Sequence, residues 1–160
     1  MNASTQQDKW HGIRAFYAKH AEAIIAAGPN QWGIDPYAWE FEAGIAMTPI
    51  ERAIWHDIRA EGAVLYPQFP VAGRFVDYGN PAARVAIECD GAQWHQDADK
   101  DRLRQAAIER EGWAVYRLTG RECAAVDNHD DDEDGRARFV PGPARLLIRM
   151  VCDRNGTRLP

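Results

Sequence analysis

The chain has 160 residues, 46% of them hydrophobic and 10% aromatic, which is the composition of one ordinary globular domain and excludes a chain without a core. No apolar run approaches the roughly 20 residues of a membrane helix, and the start, MNASTQQDKWHG, lacks the basic and apolar regions of a secretory signal. Three cysteines without paired spacing favour reduced thiols, used as small apolar fillers in a cytoplasmic chain.

The net charge of −5 is concentrated in one segment. Residues 127–134, DNHDDDED, hold six acids and neither Lys nor Arg. Without these six acids, 18 acidic residues would face 19 basic ones, so the body of the protein is close to neutral. The composition therefore permits a nucleic-acid partner without requiring one.

The N-terminal part of the chain is predicted to be mostly helical. Apolar residues recur at helical spacing over 5–27. Residues 29–47 are rich in aromatic side chains but have no clean period, and we expect irregular structure packed on the core. A second helix begins where Thr48 is a good N-cap, Pro49 suits the first helical position and Glu51 completes a capping box.

The hydrophobic period then changes to that of strands. Three short strands are expected near 64–69, 73–78 and 84–90, joined by glycine-containing turns. A charged helix over 97–111 precedes a fourth strand, WAVYRLT, over 113–119. Because a strand, a helix and a returning strand imply a right-handed crossover, we expect an α/β fold with a small mixed sheet of about four strands flanked by helices.

The C-terminal part is predicted from weaker signals. Residues 120–126 begin another helix, the acidic run is a solvated loop, and 141–152 form a last amphipathic helix. The expected order of the main elements is therefore α-β-β-β-α-β-α.

Two acids end the third predicted strand, in RVAIECDGAQWH (84–95). Because strand side chains alternate between faces, Glu88 and Asp90 point one way and Cys89 the other. The short turn between the second and third strands brings Asp77 near Glu88. Carboxylates this close need a positive partner or water. Such a cluster, with a nearby main-chain carbonyl, is what Mg²⁺ or Mn²⁺ prefers, and the ion would activate water and stabilise charge on a phosphodiester.

The chain resembles the PD-(D/E)XK nuclease superfamily, and within it the branch of very-short-patch-repair endonucleases and their uncharacterised relatives. The motifs that carry the resemblance are TPIE (48–51), FVDY (75–78), AIECDGAQWH (86–95) and DRLRQAAIEREGWAVYRLTGRE (101–122). The resemblance implies a restriction-endonuclease-like core over 48–122. Residues 1–47 would then be a helical extension packed on that core, and 123–160 an acidic loop with a C-terminal helix.

The resemblance also implies roles for the site residues. Asp77 and Glu88 would be the ligands of Mg²⁺ or Mn²⁺, with the main-chain carbonyl of Cys89 as a third. Glu51 would point into the site and position water there, and His95 would lie beside the scissile phosphate.

The chain departs from the superfamily pattern at Asp90, which stands where a lysine is expected two residues after the glutamate. An acid at this position is common in the branch that the chain resembles. The cation that stabilises developing charge must then come from elsewhere, and we expect it from His95, Lys100 or Arg102, in that order.

Each site residue also has a plainer interpretation. Glu51 could serve only the capping box, and Asp77 could be an exposed acid beside a turn. Glu88 could be a surface acid at a strand end, and His95 an ordinary histidine. The charges of the 97–111 helix, Arg102 among them, could form a solvated face.

The sequence as a whole predicts a metal-dependent endonuclease that hydrolyses DNA or another nucleic acid, without a membrane partner and with its oligomeric state left open. The alternative is a catalytically degenerate nuclease fold that binds nucleic acid or a protein partner without cutting. The missing lysine and the modest basicity of the chain motivate this alternative.

Overall fold

The structure is a computed structural model, and it describes residues 3–36, 38, 47–90, 98–125, 128–131, 133–135 and 137–160. The elements in chain order are α1 (Ala3–Ala27), α2 (Pro49–Ala60), β1 (Tyr66–Val71), β2 (Arg74–Asn80), β3 (Val85–Asp90), α3 (Ala98–Arg110), β4 (Ala114–Thr119), α4 (Gly120–Ala124), β5 (Asn128–Asp131), β6 (Ala137–Val140) and α5 (Pro143–Asn155). Among the described residues, no helix combines the length and the apolar character needed to cross a membrane.

The main sheet has four strands in the order β1-β2-β3-β4. Strand β2 pairs antiparallel with both β1 and β3. Strands β3 and β4 are parallel, with Glu88 opposite Arg117, and α3 lies between them in the chain. The sheet is therefore mixed and flanked by helices, which confirms the predicted fold class, and the ends of β3 and β4 open at the same edge.

The hydrophobic core occupies both faces of the sheet. Ile87 packs in one cluster with Trp55 of α2 and Ile148 of α5. Ala86, its neighbour along β3, packs in another cluster with Ile108 of α3. A further cluster packs α1 against the residues around β1. The helices on both faces hold the strand ends in place.

Strict alternation of side chains fails along β2. Val76 and Tyr78, which alternation predicts to share a face, pack in different clusters, Val76 with Trp113 and Tyr78 with Trp55. The ladder between β2 and β3 begins at Tyr78, immediately after Asp77. The strand is therefore irregular at the position of the predicted metal ligand.

The acidic run is not wholly a loop, and the prediction is wrong for Asn128–Asp131. This segment forms β5 and pairs antiparallel with β6, with Asn128 opposite Val140. Asp and Asn are poor strand formers, so propensity alone argued against a strand here, whereas pairing with the segment ARFV determines the structure.

The prediction of reduced thiols is also wrong for two of the three cysteines. Cys89 and Cys123 are joined by a disulfide, with their Cα atoms 6.4 Å apart. Cys89 packs against the core cluster that contains Cys123, because α4 lies against β3 on that face. The two cysteines lie 34 positions apart in the sequence, and this spacing gave no sign of their proximity. Cys152 is free and buried, as expected.

Candidate active site

A cleft of about 1080 Å³ lies between the start of α2, the ends of β2 and β3, and the helix α3. Its acidic lining residues are Glu51, Asp77, Glu88, Asp90 and Asp101. Its basic lining residues are Arg74, Lys100, Arg104 and Arg117. The cleft therefore brings acids and bases from helices and strands together in one volume.

Asp77 and Glu88 meet in this cleft. The main-chain N–H of Cys89 donates to Oδ2 of Asp77 over 2.7 Å, and the carboxyl group of Glu88 lies close enough to act on that of Asp77. Glu88 is only 4% exposed. Burial and, after it, the charge of Glu88 raise the pKa of Asp77 to about 7. Near neutral pH Asp77 is therefore partly protonated when no cation lies beside it.

Arginines face the two acids of β3. Nη1 of Arg104 lies 2.7 Å from Oε1 of Glu88, and the same guanidinium donates to the main-chain oxygen of Phe75. Nη1 of Arg117 lies 2.8 Å from Oδ1 of Asp90. These ion pairs supply the positive charge that the crowded carboxylates require.

Glu51 is held from three directions. Its Oε1 accepts from the Thr48 hydroxyl over 2.9 Å, and its Oε2 accepts from Nε2 of Gln68 over 3.1 Å. The Tyr78 hydroxyl donates to the main-chain oxygen of Glu51 over 2.6 Å. Thr48 also accepts from the N–H of Glu51, so it is the predicted N-cap. The predicted capping box is only half formed, because the Glu51 carboxylate accepts from the Thr48 hydroxyl and not from the Thr48 main-chain N–H. These contacts fix the Glu51 side chain at the cleft.

The structure does not bring Arg102 to the cleft. Its side chain is 79% exposed and pairs with Asp99 on the same helix. Arg104 is one of the helix charges that could have formed a solvated face, but it contacts Glu88 instead. The signal was present in the spacing, because Arg104 lies one helical turn before the fully buried Ile108. Lys100, a turn earlier, lines the cleft as predicted.

His95 lies outside the described residues, as do all of residues 91–97. Gln68 was not identified from the sequence at all. No spacing rule places a glutamine of one strand beside an acid at the start of a helix, because that contact depends on how α2 packs on the sheet.

The donor set of the cleft suits a cation that keeps most of its own water. Among the residues that the structure describes, no group of three or more His, Cys, Asp or Glu side chains could enclose an ion. Mg²⁺, however, is usually held by one or two carboxylates and several waters. Asp77 and Glu88 provide two carboxylates in contact, and their mutual repulsion is what a dication relieves.

Comparisons with known proteins point to one family. The family model for REase_MTES_1575 matches residues 50–130. The uncharacterized protein YcjD of Escherichia coli strain K12 is 30% identical over 79 residues, which are 48% of this chain and 68% of the relative. The catalytic domain of the homing endonuclease I-Bth0305I is similar in structure, with a TM-score of 0.41 and 22% identity over 48% of this chain and 80% of that one.

Proposed function

Because the chain belongs to the restriction-endonuclease-like family REase_MTES_1575, we propose that it is a metal-dependent endonuclease that hydrolyses phosphodiester bonds in DNA. The observation that supports this best is the contact between Asp77 and Glu88 in a cleft that also contains four basic side chains. Burying two carboxyl groups side by side is energetically unfavourable, which suggests that the pair is kept for a function. The basic side chains suit a phosphate backbone.

In this proposal Asp77 and Glu88 hold Mg²⁺ or Mn²⁺, with the main-chain carbonyl of Cys89 as a third ligand. When bound, the ion would withdraw charge from the phosphodiester and make water more acidic. The pKa of Asp77, raised to about 7 by burial and, after it, by Glu88, supports this choice, since a bound cation would stabilise the ionised carboxylate that burial and Glu88 disfavour.

The chain's own residues would carry the remaining tasks. Glu51, fixed by Thr48 and Gln68, orients the attacking water and accepts its proton. Arg104 replaces the lysine that the superfamily pattern expects. Its long side chain can turn from Glu88 to a phosphate beside the acids and take up developing charge there.

Further bases would bind the backbone of the substrate. Arg74, Lys100 and Arg117 line the same cleft and add positive charge along it. His95 would lie beside the scissile phosphate, as the resemblance implies. The very-short-patch-repair branch stays a prediction from the four motifs.

A second candidate function is a module that binds nucleic acid without cutting it. The observation in its favour is that Glu88 and Asp90 each have an arginine partner already, at 2.7 and 2.8 Å. Acids neutralised in this way need no metal for the stability of the fold. Such a module would bind nucleic acid with a strong salt dependence and leave it intact.

Plasmid cleavage separates the two functions. Purified protein is incubated with supercoiled plasmid in Mg²⁺, in Mn²⁺ and in EDTA. We expect nicked or linear product only with the metal, and loss of product in Asp77→Asn and Glu88→Gln. Asp153→Asn is the control, because Asp153 pairs with Arg158 and does not line the cleft. Cleavage that survives both site substitutions would refute the proposed site.

A further inference from the structure

We propose that Gln68 of β1 is a positioning residue that holds the Glu51 carboxylate in the orientation needed for cleavage. This inference rests on the proposed function and deepens it. Gln68 lies outside the cleft lining, so it would act on the reaction only through Glu51.

The backbone of Gln68 has an unfavourable conformation. Its φ of 53° falls in the left-handed region, which is sterically unfavourable for a residue other than glycine. The ladder between β1 and β2 pairs Pro67 with Tyr78 and Phe69 with Val76, and it omits the pairing of Gln68 with Asp77 between them. The strand is therefore distorted where it passes the predicted metal ligand.

The buried side chain of Gln68 is also energetically unfavourable in the folded protein. It is 8% exposed, and its Oε1 is buried with no hydrogen-bond partner among the residues that the structure describes. A buried acceptor without a hydrogen bond destabilises the folded state. The side chain contributes one hydrogen bond in return, from Nε2 to Oε2 of Glu51. Strain and an unsatisfied group in one residue beside a site indicate a functional constraint.

That one hydrogen bond completes the restraint on Glu51. A carboxylate with a single donor can rotate about its last bond, whereas two donors on different oxygens fix its plane. Thr48 supplies the donor on Oε1 from the helix itself, and Gln68 supplies the donor on Oε2 from the sheet. Catalytic groups must be held to within a fraction of an ångström to act efficiently.

A purely structural role does not account for the same contact. The Tyr78 hydroxyl already connects α2 to the sheet through the main-chain oxygen of Glu51, and Ile54, Trp55 and Ile58 bury the helix in the core. The helix therefore does not need the glutamine amide to stay in place.

A double-mutant cycle tests the inference on the full chain. Gln68→Met keeps the length of the side chain and removes its donor, and Glu51→Gln removes the carboxylate. We expect Gln68→Met to lower kcat about 10- to 100-fold, while the Mg²⁺ concentration for half-maximal rate stays within about twofold, since Asp77 and Glu88 are untouched. In the Glu51→Gln background the same change should have no further effect. Gln7→Met, at an exposed position of α1, is the matched control.

Thermal unfolding supplies a second measurement. Because Gln68→Met removes a buried unsatisfied acceptor, its Tm should equal or exceed that of the wild type. A wild-type rate in Gln68→Met would overturn the inference while leaving the proposed function intact. So would an equal loss of rate with and without Glu51, or a fall in Tm that accounts for the lost rate. An inactive wild type would overturn the proposed function and the inference together.

Discussion

Arg104 of α3 lies 2.7 Å from Glu88 of β3, and its guanidinium also donates to the main-chain oxygen of Phe75 on β2. One side chain therefore joins a helix to the two strands that carry the carboxyl pair. A base on a helix face that could have been solvated therefore contacts one of the two acids of the proposed site.

Arg104→Gln should reduce cleavage about 10²- to 10³-fold, the loss typical of removing one charge-stabilising donor. The measurement is single-turnover cleavage at saturating Mg²⁺, with circular dichroism to confirm that the variant is folded. Arg102→Gln is the control on the same helix, because Arg102 is exposed and pairs with Asp99 outside the cleft. If the two substitutions lower the rate equally, Arg104 has no special role.

Asp77→Asn should change how stability depends on pH. The pKa of Asp77 is about 7 in the folded protein against an ordinary value of 3.8. Between these values the folded state binds the extra proton, so the free energy of unfolding falls as pH rises towards 7. The asparagine cannot ionise and can still accept from the N–H of Cys89. In EDTA, the variant should therefore gain about 1–4 kcal/mol on the wild type between pH 4 and pH 8.

Urea denaturation at several pH values measures this difference. Asp153→Asn, whose carboxylate is exposed and paired with Arg158, should follow the wild type throughout. A difference between Asp77→Asn and the wild type that does not vary with pH would show that Asp77 is not held in a crowded, buried pair.

Mg²⁺ should stabilise the folded protein independently of any substrate. A ligand present at 100 times its Kd adds about 2.7 kcal/mol to the free energy of unfolding. Increasing MgCl₂ should therefore raise the Tm of the wild type, measured by thermal unfolding, and should not raise the Tm of Glu88→Gln. A parallel series in NaCl at the same ionic strength controls for the screening of charges by salt. An equal rise in the Glu88→Gln variant would place the ion elsewhere.

The disulfide should contribute measurably to stability. It joins residues 34 positions apart in the sequence. In the entropic model, a link over that separation restricts the unfolded chain and adds about 3–4 kcal/mol to the free energy of unfolding. A reductant should lower the Tm of the wild type and leave Cys89→Ala/Cys123→Ala unchanged. Titration of the denatured, unreduced protein should find one thiol, that of Cys152. Three thiols would contradict the link.

The fold was predictable from the sequence because its signals are local. Thr48 at the start of α2 and the glycine turns between strands act within a few residues, and the change from helical to strand period is visible in the chain. The meeting of Asp77 and Glu88 also followed, since a short turn between paired strands leaves few alternatives.

The features that were missed depend on packing between distant segments. The disulfide forms because the side chain of Cys89 on β3 faces the helix α4, which carries Cys123. The spacing of the two cysteines in the sequence does not reveal this contact. Strand β5 forms despite its poor propensity because β6 pairs with it. Gln68 donates to Glu51 from a left-handed position in β1, which no local pattern in the sequence predicts.

The hydrogen bond from Tyr78 to the main chain of Glu51 has a consequence for how the acids are assembled. Tyr78 directly follows Asp77, so the same strand that presents one acid also anchors the helix that presents another. Glu51 and Asp77 are thus connected through the peptide bond between Asp77 and Tyr78 and the hydrogen bond from Tyr78 to Glu51, and this connection restrains their separation. Under the proposed function, contacts within the chain would therefore restrain these two groups relative to each other before the substrate binds.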